Sequence, residues 1–292
     1  MALQSNTPSS SRLRLPFPLN ALCNGLVLSL ASAGAFAAPV PFGGSYAQDF
    51  NTLANTGANA PWANDSTLAG WSLFNKDGAA ITQIAVGSGG STGGSFYSFG
   101  ADASDRALGV LASSGTYFGS PGSGAVAGWI ALALVNNTSA PIDAVNLRFN
   151  GEQWRNGGSP AGQGMTLEWG LGSSFGSVQA WSPAGDLFSW VAPVTGGTAG
   201  AVAGNTQGGG GGLVPQVGGD LQGLGWGAGQ TLWLRWVQKR TASGSSNGLA
   251  IDDVVIKTAG PDTAALTLQS SVPASNATGV ATTTSSFSLT FS

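Results

Sequence analysis

The 292-residue chain contains no histidine, one cysteine (Cys23) and only 8% charged residues. Histidine and thiolate are the side chains most readily poised near neutral pH as base or nucleophile, so a Ser-His-Asp triad is excluded, as is a Cys-His pair. Glutamate occurs twice, at Glu152 and Glu168. Neither sits in the tight E-x-D-x-x-E strand motif of sandwich-fold glycosidases, though a pair separated in sequence can converge in space. There is no G-x-S-x-G elbow, and the glycine-rich stretches lack the Lys-Ser/Thr of a phosphate loop. What is abundant is glycine, 47 residues, with ten tryptophans and thirteen phenylalanines among them. That aromatic content separates the chain from disordered sequences, which are poor in such residues.

The first forty residues read as a secretion signal. Arg12 and Arg14 supply positive charge, Leu19 to Gly34 is mostly apolar or small, and Ala35-Phe36-Ala37 is an A-x-A cleavage pattern. Residues 1–37 are therefore expected to leave, Cys23 with them, and the product to be secreted. Asn20 and Asn24 interrupt the apolar stretch, which argues against an anchor, and no later stretch is long and apolar enough to span a membrane. Without cysteine the mature chain has no disulfides, so its stability must come from core burial or bound ions. Ten Lys and Arg face thirteen Asp and Glu; without Arg12 and Arg14 the balance is eight against thirteen, a net charge of −5. An acidic balance argues against nucleic acid as a partner.

Short alternating or apolar runs recur between turn-rich spacers, and they predict roughly eleven strands. They fall at residues 45–50, 70–74, 79–86, 95–99, 106–111, 126–135, 142–150, 165–171, 186–191, 231–237 and 249–257. The alternation is cleanest where Val145, Leu147 and Phe149 share one face and Asn146, Arg148 and Asn150 the other. Met165, Leu167, Trp169 and Leu171 repeat it, with Glu168 opposite. Many such strands in sequence predict an all-β fold, an antiparallel β-sandwich of two sheets packed face to face over residues 38–258. Between Thr195 and Gly229 the pattern lapses, with five consecutive glycines at 208–212. Ordering glycine costs backbone entropy, so this segment is expected to be a mobile insertion. Residues 259–263 form a turn-rich linker. Beyond it, 264–292 holds two further strands, Ala265 to Ser270 and Phe287 to Phe291, too few for a core of their own. The expectation is an incomplete second β-domain and hence a fragment of a longer protein.

That last segment resembles the opening of the bacterial Ig-like domains first associated with surface-layer proteins, through Ser271-Val272-Pro273-Ala274-Ser275-Asn276-Ala277-Thr278-Gly279-Val280 and Leu289-Thr290-Phe291-Ser292. The resemblance implies a spacer in an exported protein. Residues 45 to 257 resemble an uncharacterised β-sandwich module of secreted bacterial multidomain proteins. The segments that carry it are Gln48-Asp49-Phe50-Asn51-Thr52-Leu53, Leu68-Ala69-Gly70-Trp71, Asp105-Arg106-Ala107-Leu108-Gly109, Gly151-Glu152-Gln153-Trp154-Arg155, Thr231-Leu232-Trp233-Leu234-Arg235-Trp236 and Gly248-Leu249-Ala250-Ile251-Asp252-Asp253. The resemblance implies a jelly-roll-like fold and leaves the ligand open. This sequence departs from the pattern before its last strand, where Gln238, Lys239, Ser245 and Asn247 stand in place of several Asp residues.

Three groups of residues are candidates for chemistry. Asp252 and Asp253 adjoin on an apolar strand and so are expected on opposite faces, at least one against the core, where a carboxylate needs a partner. One reading is a structural Ca2+ ion, with Asp49 of the first strand meeting Asp252 and Asp253; the other is a salt bridge to Arg106, Arg155 or Arg235. Glu152, Trp154 and Arg155 sit where a strand meets a glycine-rich loop: a sugar platform with two polar grips, or a structural cluster. Trp233 and Arg235 share a strand face, and with Arg148 and Glu168 they would form a charged ladder, for binding or for cross-strand pairing. These features favour a non-catalytic accessory, adhesion or ligand-binding module for a glycan or cell-surface ligand. The alternatives are the N-terminal region of an extracellular endonuclease or phosphoesterase, and a carbohydrate-binding module.

Overall fold

The structure is a computed structural model that describes residues 39–112, 126–239, 245–260, 268–273 and 288–291, with Met1 and Thr278, a few of them by backbone alone. Apart from Met1, the expected signal segment with Cys23 lies outside the described residues, as do residues 261–263 of the linker, residues 264–267 after it and most of the Ig-like loop motif.

In chain order the strands are β1 (Val40–Phe42), β2 (Ser45–Gln48), β3 (Asn59–Pro61), β4 (Trp71–Asn75), β5 (Gln83–Gly87), β6 (Ser95–Phe99), β7 (Ala107–Leu111) and β8 (Val126–Asn136). They continue as β9 (Val145–Asn156), β10 (Gly164–Leu171), β11 (Ser182–Pro183), β12 (Trp190–Val191), β13 (Gly200–Ala201), β14 (Leu213–Leu221), β15 (Thr231–Lys239) and β16 (Gly248–Thr258). Two single turns of 3-10 helix, Phe175–Ser177 and Asp186–Phe188, are the helical content among the described residues. Residues 186–188, expected to extend a strand, form one of them, and only Trp190–Val191 pairs as β12.

The strands make two sheets. The first runs β1-β8-β15-β10-β11, with β4 also on β8 and β12 also on β10. The second runs β13-β9-β16-β7-β6-β5-β3, with β14 also on β9 and β2 also on β16. Pairing is antiparallel except for β1 on β8 and β5 on β6, which are parallel. From β8 to β10, and again from β14 to β16, each step carries the chain across to the other sheet. This is the all-β sandwich that the alternation predicts, with two parallel pairings in place of a purely antiparallel pattern.

The period-2 rule places the core. Ile130, Leu132 and Leu134 of β8, Met165 and Leu167 of β10, and Leu232, Leu234 and Trp236 of β15 face Val145, Leu147 and Phe149 of β9 and Leu249, Ile251, Val254 and Ile256 of β16 in one buried cluster. Trp236 is its centre, stacked on Trp71 at 5.5 Å and meeting Phe149 edge-on at 5.6 Å. The glycine-rich segment is not loose, contrary to expectation. Val202 donates its N–H to the Trp154 carbonyl, Gly212 to Ala203 and Leu213 to Thr206, and residues 213–221 continue as β14 along β9. Its glycines permit close approach: a Cβ on Gly204 would lie 2.4 Å from the Trp154 ring, and one on Gly212 would lie 2.0 Å from the Gln153 carbonyl oxygen. After the sandwich, β17 (Leu268–Val272) and β18 (Ser288–Phe291) pair antiparallel as a two-stranded sheet.

Candidate binding faces and a buried acid pair

The outward face of the first sheet carries Trp233 and Arg235 on β15 beside small neighbours: Ala133 pairs with Trp233, Ala131 with Arg235, and Gly170 with Trp233 from the other side. On this low floor lies the loop after β10, which brings Phe175, Val178 and Trp181 onto the sheet. Gly170 is small because Val178 rests on it, at 2.4 Å from where a Cβ would stand. Arg235 and Glu168 are directly opposite across β15 and β10, and the guanidinium donates from Nε at 2.6 Å and pairs through a terminal nitrogen at 2.5 Å. The same guanidinium lies 3.8 Å above Trp181, 5.1 Å from the Trp129 ring and 5.9 Å from Phe175. Trp181, Trp129, Phe175 and Phe74 are half-buried. Trp233 is buried, and its Nε1 donates to the Gly172 carbonyl at 3.0 Å. Arg235 and Glu168 thus form the expected cross-strand pair. Arg148 does not join them: it belongs to β9 in the second sheet and donates to the carbonyls of Gln216 and Gly218. Phe175 and Trp181 were invisible as site residues, because a loop has no spacing that ties it to a distant strand.

The other candidates meet on the outward face of the second sheet, beneath the glycine-rich segment. Trp154 is buried and its Nε1 donates to Glu152 Oε2 at 2.7 Å; Phe99 stacks on its ring plane and Gly204 covers it. Burial on both sides excludes Trp154 as a sugar platform in this conformation. Arg155, expected to pair with a core carboxylate, donates instead to the carbonyls of Gly89 and Gly90 at 3.0 and 3.1 Å. Glu152 is 2% exposed, and burial pushes its carboxyl up to about 7 against the pull of the Trp154 hydrogen bond.

Asp252 lies across the same sheet face. The expectation that Asp252 and Asp253 point to opposite faces is corrected by a β-bulge. The register of β16 on β9 shifts between Asp252 and Val255, and Asp253 takes φ +48°, so the inward series reads Leu249, Ile251, Val254, Ile256. Both aspartates are left on the outward side. Asp252 is 3% exposed and its Oδ1 has no partner; burial first, and then the charge of Glu152, pushes its carboxyl up to about 9. Asp253 is exposed, accepts a hydrogen bond from Asn150 at 2.9 Å, and shares a hollow of about 230 Å3 with Asp49. Burial, Asp105 and Asp49 raise its carboxyl as well. Asp105 in turn accepts from Asn205 at 2.6 Å. Among the described residues the proposed salt bridges to Asp252 and Asp253 are absent: Arg235 pairs with Glu168, and Arg106 gives its guanidinium hydrogens to Ser98, Gly100 and Asp102 oxygens. Nor are Asp49, Asp252 and Asp253 drawn into one ligand set, since no three His, Cys, Asp or Glu side chains among the described residues gather closely enough to hold a metal.

At the end of the sandwich, the side-chain amides of Gln163, Gln238 and Asn247 form a hydrogen-bond network. Gln238 donates to the Asn247 carbonyl, Asn247 Oδ1 accepts from Gly157, and Gln163 bonds both Asn247 and Ser245. No helix among the described residues is long and apolar enough to cross a membrane.

No protein-family model and no curated protein matches the sequence. Among solved structures, the chain is similar to the K1 cleaved adhesin domain of Lys-gingipain from Porphyromonas gingivalis W83, at 12% identity over 75% of this chain and 100% of that one, with TM-score 0.36. It is similar to the K3 domain of the same protein at 13% identity over 65% of this chain and 92% of that one, TM-score 0.35. A third is the CBM22-1-GH10 portion of endo-1,4-beta-D-xylanase 10B from Clostridium thermocellum, complexed with xylohexaose, at 11% identity over 67% of this chain and 27% of that one, TM-score 0.31. At these TM-scores the likenesses carry no argument, and function is read from the chain's own side chains.

Proposed function

We propose that the chain is a non-catalytic binding module of an exported multidomain protein, and that it recognises a glycan or cell-surface ligand through the outward face of its first sheet. The observation that carries this is the Arg235 guanidinium, paired with Glu168 and held 3.8 Å above the Trp181 ring. Half-exposed aromatic planes give a rigid apolar bed, and the paired charges beside them give directional polar contacts, the combination that small-ligand and sugar sites use. Glycan-array and cell-surface binding by the intact chain tests it, with no turnover of any bound substrate expected. Trp181→Ala and Arg235→Ala should each weaken binding about tenfold or more. Intact protein that binds nothing, or binding that survives both substitutions, would overturn it.

A second reading is favoured by the unpartnered Oδ1 of Asp252: a structural calcium ion compensates the acids of the second sheet. The donors on offer are all oxygen, from Glu152, Asp252, Asp253, Asp105 and Asp49, which suits a hard cation. Because they are not gathered into a ligand set, an ion would have to draw them together. Calcium added to chelated protein should raise the melting temperature; an unchanged melt rejects the ion.

A further inference from the structure

Strands β5 and β6 are parallel, Ala85 beside Tyr97 and Gly87 beside Phe99, yet only Ser88 to Gly94 joins them. Parallel neighbours normally need a crossover of a dozen residues or more. Seven suffice here because the sequence Ser-Gly-Gly-Ser-Thr-Gly-Gly doubles back as a strap over the outward face of the second sheet. The strap is fastened at both ends: Arg155 donates to the Gly89 and Gly90 carbonyls, and the Tyr97 hydroxyl donates to the Gly93 carbonyl at 2.6 Å. Between the strap and the edge strand β3 lies a hollow of about 430 Å3.

The lining of this hollow is chemically selective. Its polar groups are the amides of Asn59 and Gln83 and the hydroxyls of Ser91, Ser95 and Tyr97, and its floor is Ala85 and Val86; no charged side chain lines it. A phosphate or carboxylate placed here would lose water without gaining a counter-charge. A polyol fits better, since each sugar hydroxyl both donates and accepts, and a carboxamide offers two donors and an acceptor to neighbouring hydroxyls. Asn59 and Gln83 are exposed and make no hydrogen bond through their side chains to other described residues, so both are free to do so. The size is at the small end of ligand pockets, which fits one or two sugar units.

We propose that this strap-walled hollow is a binding site for a neutral sugar unit, with Asn59, Gln83, Ser91 and Ser95 as its polar contacts and Arg155 as a positioning residue that fixes the strap. It lies on the sheet opposite the Trp181 face, so it stands or falls independently of the recognition surface proposed above.

The test titrates the full chain with glucose, galactose, mannose, xylose and their β-linked disaccharides, with glucuronic acid as the charged control, read by saturation-transfer NMR and calorimetry. At least one neutral sugar should bind in the millimolar range or tighter, with glucuronic acid much weaker. Asn59→Ala and Gln83→Ala, both at exposed positions, should each weaken that binding about five- to tenfold by removing hydrogen bonds. Trp181→Ala should leave it unchanged. Arg155→Ala should weaken it while β-sheet circular dichroism is retained, and Arg155→Lys should restore part of it. The proposal is overturned if no neutral sugar of the panel binds, if affinity is indifferent to Asn59→Ala and Gln83→Ala, if glucuronic acid binds equally well, or if Trp181→Ala alone abolishes binding.

Discussion

Replacing Asp252 by asparagine should make the metal-free protein more stable at neutral and alkaline pH. Folding lifts this carboxyl from 3.8 to about 9. The folded state therefore binds a proton that the unfolded chain releases, and the contribution is fully present below the unfolded value and lost as pH rises towards 9. At pH 7 the unfolded group is ionised while the folded one must be protonated, a cost of about three pKa steps, or on the order of 4 kcal/mol. Glu152, lifted from 4.5 to about 7, adds a smaller loss of the same sign between those limits. An asparagine keeps the shape and needs no proton, so Asp252→Asn should recover roughly 2 to 4 kcal/mol, or about 5 to 15 °C in melting temperature for a domain of this size. The assay is a set of thermal melts of both proteins from pH 5 to 9 in chelator, followed by circular dichroism. The difference between the two proteins reads this carboxyl together with its coupling to Glu152 and cancels the titrations that both proteins share. Their curves should part as pH rises, the variant above. Parallel curves would refute the placement of an unpartnered carboxyl at this point.

Calcium enters the same experiment as a separate arm: at a hundredfold excess over its dissociation constant it should stabilise the natural protein by about 2.7 kcal/mol and Asp252→Asn by much less, and an equal shift in both would dissociate the ion from Asp252. Gly204→Val would drive a side chain into the Trp154 ring, 2.4 Å from where its Cβ would stand, and should cost about 1 to 3 kcal/mol in urea unfolding; no change would mean that the glycine-rich segment does not pack as described. Trp236→Ala empties the centre of the core and should cost about 3 to 5 kcal/mol by the same measurement, whereas a loss under 1 kcal/mol would contradict its burial.

The sandwich was largely legible because its inner strands keep the period of two. Val145, Leu147 and Phe149 alternate in sequence and all three are buried, and residues 95–99 and 231–237 pair as strands where the pattern puts them. Where the period breaks, reading by period fails: the bulge at Asp253 shifts the parity of β16, and a positive φ at a non-glycine residue leaves no mark in composition. The glycine run departs from its expected mobility for a different reason. Glycine is costly to order, but the contacts that order it, the Trp154 ring and the Gln153 backbone, come from β9 and are known only once the chain has folded. The same holds for the candidate sites. Arg235 and Glu168 were recognisable as a cross-strand pair, whereas Trp181 and Phe175, supplied by a loop, and the hollow under the Ser88 to Gly94 strap depend on topology and not on any motif.

The indole of Trp236 is buried at the sandwich centre with its N–H unpartnered, and Trp190 is in the same condition. Buried among apolar side chains, such indoles emit at short wavelengths, and exposure to solvent moves the emission towards the red. The interior therefore carries its own optical gauge of integrity, with no dye or label required. Trp236→Phe should remove a blue component from the native spectrum, and a native spectrum already as red as that of the denatured chain would show that water reaches the space between the sheets.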